Sequence, residues 1–295
     1  MKRDRIPVAC IQLRAHDRAD FDRSWPNIMM RIEEAGRLGA RLIVLPEATV
    51  PGYVLGGEPV PAELLDRAAY DVAELARRWK ATIVYGSAKL VDGRTYNAAI
   101  VVGPDGRELG HAAKQFLWHF DRRWFAAGVT LDPIDTPVGR LGVLVCADGR
   151  IPSIAATLVE RGAQMLVMPT AWVTSGRDPR ALENLQADLL AVVRARENGV
   201  PFAVANKCGI ELESVAYCGK SALIDAGGAF VARGSERSEE IVFGELESAS
   251  QRSFPRVPSP EPVVVEERPH ITPPLRIAFT TARGPEVARF AALAA

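Results

Sequence analysis

An excess of charge of either sign is missing from this sequence, in which 36 Lys and Arg residues balance 36 Asp and Glu. That balance provides no global basic field for nucleic acid or anionic lipid, and fits a small substrate or another protein as partner. Long apolar runs are also missing. No stretch reaches the roughly 18 apolar residues of a membrane span, and the charged start Met1-Lys2-Arg3-Asp4-Arg5 leads into a strand-like segment without an apolar signal region. We therefore expect a cytoplasmic protein with no membrane association. Cysteine is scarce: Cys10, Cys146, Cys208 and Cys218 lie far apart with no C-x-x-C pair, which argues against a zinc ribbon and a dense disulfide framework and for free thiols. The four histidines, His16, His111, His119 and His270, stand at no metal-ligand spacing. Gly227-Gly228 is followed by no Gly-Lys-Ser/Thr, so it reads as a turn and not as a phosphate cradle. Internal repeats and low-complexity tracts are absent as well.

What is present is an ordinary globular composition, 48% hydrophobic and 24% charged over 295 residues. Strand and helix patterns alternate along it. Strands are predicted at Val8–Leu13, Leu42–Leu45, Thr82–Gly86, Gly142–Cys146, Met165–Met168 and Pro201–Asn206. A hairpin is predicted from Tyr96–Val102 and Arg107–Ala113 around Gly103-Pro104-Asp105-Gly106, and a second strand pair from Ser221–Asp225 and Ala229–Ala232. Helices are predicted over Trp25–Leu38, Ala62–Trp79, Ser153–Arg161 and Pro179–Asn198. This mixture predicts an α/β layered sandwich over residues 1–247. Composition then shifts: seven prolines between Pro255 and Pro274 block helix and central strand and favour an extended path. Residues 248–295 are accordingly expected to form a Pro-rich extension, with a strand at Arg276–Thr281, a short helix from Pro285 to Ala295, and a role as an oligomerisation strap.

Three polar residues stand where apolar runs stop, which is where strand ends deliver side chains to a shared cleft. Glu47 follows Leu42-Ile43-Val44-Leu45-Pro46; an acid in that place serves either as a helix cap or in chemistry. Lys114 sits in the apolar company of Ala112-Ala113 and Phe116-Leu117-Trp118; the plain alternative is a lysine reaching out to solvent. Cys146 follows Val143-Leu144-Val145 and precedes Ala147-Asp148-Gly149-Arg150, an abrupt exit resembling a nucleophile elbow, against which stands a buried structural thiol. The three types together make a coherent set. A carboxylate accepts the thiol proton, an ammonium favours the resulting anions, and the Ala147 N–H adds a donor for an oxyanion. Cys10 reads as core, Cys208 and Cys218 as flanking a surface loop, and a dyad of Cys146 with His119 has no further support.

These residues resemble the nitrilase superfamily of carbon–nitrogen hydrolases, whose catalytic Glu, Lys and Cys occur in this chain order. The resemblance is carried by Leu45-Pro46-Glu47 with Pro51-Gly52-Tyr53, by Lys114 with Trp124-Phe125-Ala126-Ala127-Gly128, and by Gly142-Val143-Leu144-Val145-Cys146-Ala147-Asp148-Gly149-Arg150. Pro169-Thr170-Ala171-Trp172 and Arg194–Pro201 extend it, so that it spans about residues 6 to 247. It implies a four-layer αββα sandwich, no metal and no cofactor, and a homodimer or larger homo-oligomer. Glu47 becomes general base, Lys114 the oxyanion stabiliser and Cys146 the nucleophile. Tyr53 and Trp172 are candidates for the substrate wall. Two departures are informative: where many members carry a second Glu after the Lys, this chain has Asp121, and where nitrilases follow the nucleophile with Trp-Glu, it has Ala147-Asp148. The second points to the amidase and carbamoylase branch. The expected activity is hydrolysis of a small linear amide or N-carbamoyl compound through a cysteine acyl-enzyme, with a nitrile substrate or a catalytically weak binding protein as the alternatives.

Overall fold

In the computed structural model, alternate residues of the first strand face opposite cores, and nearly all of them are buried. The structure describes residues 5–174, 182–249, 277–281 and 284–288. Strand β1 (Arg5–Arg14) sends Val8 and Cys10 to one side and Ala9, Ile11 and Leu13 to the other. A strand apolar on both faces belongs in the middle of a layered α/β stack. Helix α1 (Phe21–Arg37) buries Trp25, Ile28, Ile32 and Ala35, a 3.6-residue stripe, against the second of those faces. Strand β2 (Leu42–Val44), helix α2 (Ala62–Trp79), strands β3 (Thr82–Val91), β4 (Arg94–Val102) and β5 (Glu108–Ala113) complete the first half. β1, β2 and β3 are parallel, and β3, β4 and β5 form an antiparallel meander.

The second half begins with β6 (Ile134–Thr136) and β7 (Gly139–Val143), followed by α3 (Pro152–Glu160), β8 (Met165–Pro169), α4 (Ala191–Asn198) and β9 (Phe202–Ala205). Strands β10 (Lys207–Glu211) and β11 (Val215–Cys218) make a hairpin, as do β12 (Ala222–Ile224) and β13 (Phe230–Arg233), and β14 (Glu240–Glu247) runs antiparallel to β1. One sheet has the order β11-β10-β1-β2-β3-β4-β5 with β14 also on β1; the other has the order β13-β12-β9-β8-β7-β6. Val8, Cys10, Val44, Val84 and Val101 from the first sheet meet Leu141, Val143, Leu166, Val167 and Val204 from the second in one core, while α1 and α2 cover the first sheet and α3 and α4 the second. This is the expected four-layer αββα sandwich.

The chain divides into two compact units, residues 1–253 and residues 254–295. Within the second unit, β15 (Ile277–Thr281) pairs antiparallel with β16 (Gly284–Ala288). The expected strand at Arg276–Thr281 is present from Ile277; of the helix expected from Pro285 to Ala295, the described part, Pro285–Ala288, is strand instead, because it pairs antiparallel with β15, and the remainder lies outside the described residues. The extended path from Pro255 to Pro274 lies outside the described residues.

Three further expectations are corrected. The helix expected over Pro179–Asn198 has its described start at Leu185, with a π-turn at Gln186–Leu190 running into α4. Asn184 ends the preceding segment by accepting the Gln186 and Ala187 N–H groups on Oδ1, while Asp188 accepts the Asn184 N–H, a reciprocal cap. Cys208 and Cys218 do not flank a surface loop. They are directly opposed on β10 and β11 and both fully buried, because the short polar link between them is a strand pair closed by a turn at 212–214. Finally, β3 continues past Gly86 to Val91 and turns back at Asp92-Gly93, where both residues adopt positive φ.

Candidate functional site

Glu47, Lys114 and Cys146 come from three separate segments and are all buried. Glu47 follows β2 and crosses the middle of β3, at Gly86, at van der Waals limits. A Cβ on Gly86 would lie 2.4 Å from both Ala48 N and Pro46 O, so only glycine lets the two backbones pass. The Gly86 N–H donates to Pro46 O (3.1 Å), and the Glu47 N–H reaches across to Thr170 O at the end of β8 (3.2 Å), tying the two sheets together beneath the carboxylate.

Lys114 follows β5 and is anchored by its backbone: its N–H donates to Asn97 O and its carbonyl accepts the Gly128 N–H, both at 2.8 Å. A Cβ at Gly128 would meet Ala113 O at 2.3 Å, which accounts for the glycine closing the segment Trp124–Gly128. The ammonium donates to Glu47 Oε1 at 2.7 Å and lies 2.6 Å from Asp121 Oδ2. All three groups are fully buried. Burial alone pulls the Lys114 pKa down, but Glu47, Cys146 and Asp121 outweigh it and hold the amine charged above its ordinary range.

The two carboxylates differ in how completely their oxygens are used. Asp121 accepts from Tyr53 OH (2.9 Å) on Oδ1 and from Trp118 N (2.8 Å) on Oδ2, so it is no surface partner of Arg122 or Arg123. Glu47 Oε1 takes both Lys114 and Asn97 Nδ2 (2.7 Å), whereas Oε2, equally buried, accepts no hydrogen bond among the described residues. A buried carboxylate oxygen without a donor keeps its lone pairs open to another partner.

Cys146 opens a five-residue 3₁₀ turn at φ 46°, a left-handed conformation unusual for a residue with a Cβ. Asp148 fixes that turn: it accepts from Val145 N (3.1 Å), Gln115 N (3.1 Å) and Phe116 N (2.7 Å), tying the Lys114 loop to the elbow. Burial pushes the Asp148 carboxyl up to about 6 against those donors and Lys114. The Cys146 thiol is also pushed up, first by burial and then by the Glu47 charge, with Lys114, Thr170 and Ala171 opposing. Burial and the Glu47 charge thus both favour the protonated form of the thiol. Ala147, the second residue of the turn, is buried.

Tyr53 and Trp172 are buried behind the polar groups. The Tyr53 hydroxyl is committed to Asp121 and its ring lies 5.6 Å from Lys114 Nζ. Trp172 is held by Asn206 Oδ1 at its backbone N (2.7 Å). Oriented to satisfy its neighbours, the Gln186 amide donates to Cys146 O (3.0 Å) and accepts from Trp172 Nε1 (3.2 Å) and Arg150 Nε (3.1 Å). A cavity of about 630 Å³ is lined by Trp118, His119, Arg150, Val173, Thr174 and Gln186 among others, and adjoins the cluster through Gln186 and Arg150, which share the Cys146 turn and its bonds. Sequence reasoning missed Asn97, Gly86, Gln186 and the structural use of Asp148. For Asn97 a signal existed: it is a polar residue on the first step of the apolar run Ala98-Ala99-Ile100-Val101. Among the described residues no three His, Cys, Asp or Glu side chains form a metal-binding group.

An αββα sandwich with a polar cluster at its strand ends is the nitrilase-type architecture. The chain belongs to the carbon–nitrogen hydrolase family, whose sequence model matches residues 7–256, and it is an enzyme of that class. The Pseudomonas protegens protein named "hydrolase in pqqF 5′ region" is 33% identical over 214 residues, 70% of this chain and 72% of that one. Human omega-amidase NIT2 is 30% identical over 228 residues, 73% of this chain and 80% of its own length. The crystal structure of an amidase from Nesterenkonia sp. is similar in fold, with a TM-score of 0.76 at 23% identity over 86% of this chain and 95% of that one.

Proposed function

We propose that this enzyme hydrolyses the carbon–nitrogen bond of a small linear amide or N-carbamoyl compound through a thioester on Cys146. Glu47 Oε2 takes the thiol proton as Sγ adds to the carbonyl carbon. The tetrahedral oxyanion is met by the Lys114 ammonium and the Ala147 N–H. Glu47 returns the proton to nitrogen as the C–N bond breaks and ammonia leaves; it then accepts a proton from the water that attacks the thioester, and the acid departs with the thiol restored. Asp121 keeps Lys114 charged and aimed. The observation that carries this reading is the uneven use of Glu47, one oxygen saturated by Lys114 and Asn97 and the other without a donor in a buried site whose charge acts on the Cys146 thiol.

Arg150 refines the substrate class. It follows Cys146 on the same 3₁₀ turn, stacks 5.2 Å over the Trp118 ring and lines the cavity, where a guanidinium suits a carboxylate at the far end of the amide. An omega-amidase among the relatives agrees with a terminal amide. The same reading includes a homo-oligomeric assembly and no metal or cofactor. Its test is ammonia release from a panel of simple amides, dicarboxylic half-amides, N-carbamoyl amino acids and nitriles. Cys146→Ala should lose roughly 10⁴-fold or more in kcat on the best of them with its melting temperature nearly unchanged. Retained turnover in that variant, or a panel in which nitriles alone react, would overturn the proposal.

A further inference from the structure

A second buried ion pair stands behind the first. Lys207, at the start of β10, and Glu211, at its end, are 1% and 0% exposed in their side chains, with Nζ and Oε2 3.5 Å apart. Burying such a pair costs several kcal/mol per ion before its attraction is counted, so apolar residues of similar volume would hold the fold as well. What distinguishes this pair is where its other bonds go. Lys207 Nζ donates to Ala48 O (3.1 Å), the carbonyl immediately after Glu47. Glu211 Oε1 accepts the N–H groups of Tyr53 (3.0 Å) and Val54 (2.8 Å), and Oε2 accepts the Tyr217 hydroxyl (2.8 Å). Tyr53 in turn gives its hydroxyl to Asp121, and Asp121 holds Lys114. The Tyr53 ring is near both cations, 5.6 Å from Lys114 Nζ and 5.9 Å from Lys207 Nζ.

Both carboxylates that grip Lys114 are thus tethered, through segment 47–54, to one charged pair that touches neither. Ala48 itself sits at φ 44°, a strained backbone that needs such external support. We propose that Lys207 and Glu211 are positioning residues for hydrolysis: Lys207 fixes the backbone that aims Glu47, and Glu211 fixes Tyr53 so that Asp121 keeps Lys114 in register. This rests on the assignment of Glu47, Lys114 and Cys146 above and adds to it a remote determinant of turnover.

The experiment pairs the double variant Lys207→Met/Glu211→Gln, which leaves no unpaired buried charge, with Asp121→Asn in a kinetic cycle on the best amide of the panel. The double variant should melt within a few degrees of wild type and lose roughly 10- to 100-fold in kcat, with KM changed less than about threefold, because positioning of the catalytic groups and not ground-state binding is what it disturbs. Since Glu211 acts partly through Asp121, the triple variant should lose clearly less than the product of the two separate losses. A double variant with kcat within twofold of wild type overturns the proposal. So does a loss that multiplies in full with that of Asp121→Asn, which would mark general weakening of the fold. Either result leaves the assignment of Cys146 standing, since that falls only if Cys146→Ala is active.

Discussion

The floor of the site and its mouth are built from different material. On the floor, Glu47, Lys114, Asp121 and Cys146 are buried and come from strand ends and two short 3₁₀ turns, with the Glu47 and Lys114 backbones bonded to neighbouring strand segments and the Asp121 backbone bonded within its own turn. At the mouth, His119 is exposed, and Trp118 and Arg150 are half-buried turn residues in contact with one another. The difference separates two tasks. Proton transfer and oxyanion binding demand groups held to a fraction of an ångström in a dry site. Choosing among amides needs only adjustable contacts beyond the reacting carbonyl, which turns and long side chains supply. Damage to the floor should therefore appear in kcat, and damage to the mouth in the ranking of substrates.

The sharpest way to break that comparison is Glu47→Gln. Loss of the base should lower kcat by about 10²- to 10⁴-fold. The thiol should respond in the opposite sense: the Glu47 charge is the second cause, after burial, that raises the Cys146 pKa, so its removal lets the thiolate form at lower pH. Alkylation of Cys146 by iodoacetamide should then reach half its limiting rate at a lower pH than in wild type, even as hydrolysis collapses. An unchanged alkylation profile would place Glu47 too far from the sulfur for the role given to it. Next in size is Asp121→Asn, expected to cost roughly 10- to 1,000-fold in kcat/KM, about 1.4 to 4 kcal/mol of transition-state stabilisation. Asp121→Glu should keep much of the activity if the backbone can yield by one methylene. Wild-type kinetics in the Asn variant would remove Asp121 from the site.

Gly86→Ala probes the floor without touching a polar side chain. Its Cβ would stand 2.4 Å from Ala48 N and Pro46 O, and neither is a flexible side chain. The crossing segment must move, and Glu47 with it. A shift of about 1 Å at a reacting group costs on the order of 10²-fold. We expect a fall in kcat of that size, with the protein still folded by circular dichroism; full activity would show that Glu47 tolerates a looser seat than its hydrogen bonds suggest.

How much of this was legible beforehand follows the same division. The catalytic candidates stood out because each ends an apolar run, and the strand that precedes them needs both its faces covered, which gave the layered sandwich. Helix α2 was readable to the residue, since Ala68, Val72, Leu75 and Ala76 repeat with helical period between Pro61 and Lys80. The start at Leu185 was not, because Asn184 and Asp188 cap it through a reciprocal contact that propensity alone does not reveal. Strands β10, β11 and β14 escaped notice for a related reason. Lys207, Glu211, Cys208 and Cys218 read as a polar link in one dimension, and become core only once the chain brings β1 alongside. Lys207 and Glu211 illustrate the limit: a pair four residues apart on one strand gives no hint in sequence that its partners are Ala48 and Tyr53, some 160 residues earlier.

The smallest expected effect belongs to the mouth. Arg150 shares its 3₁₀ turn with Cys146, so its backbone is fixed by the floor, while its guanidinium lies over Trp118 and takes the Gln186 amide oxygen. Arg150→Lys keeps a cation but loses the planar fork and the stacking, and Arg150→Gln loses the charge as well. For a half-amide bearing a distal carboxylate, Arg150→Gln should raise KM by roughly 10-fold with kcat within about threefold, the loss expected of one charge-assisted contact in a partly open cavity. For a simple uncharged amide the same variant should change KM by less than about twofold, so the ratio of kcat/KM between the two substrates is the decisive reading. A ratio that does not move would detach Arg150 from substrate choice. A variant that loses kcat equally on both would instead show that Arg150, through Gln186 and the Cys146 carbonyl, belongs to the floor.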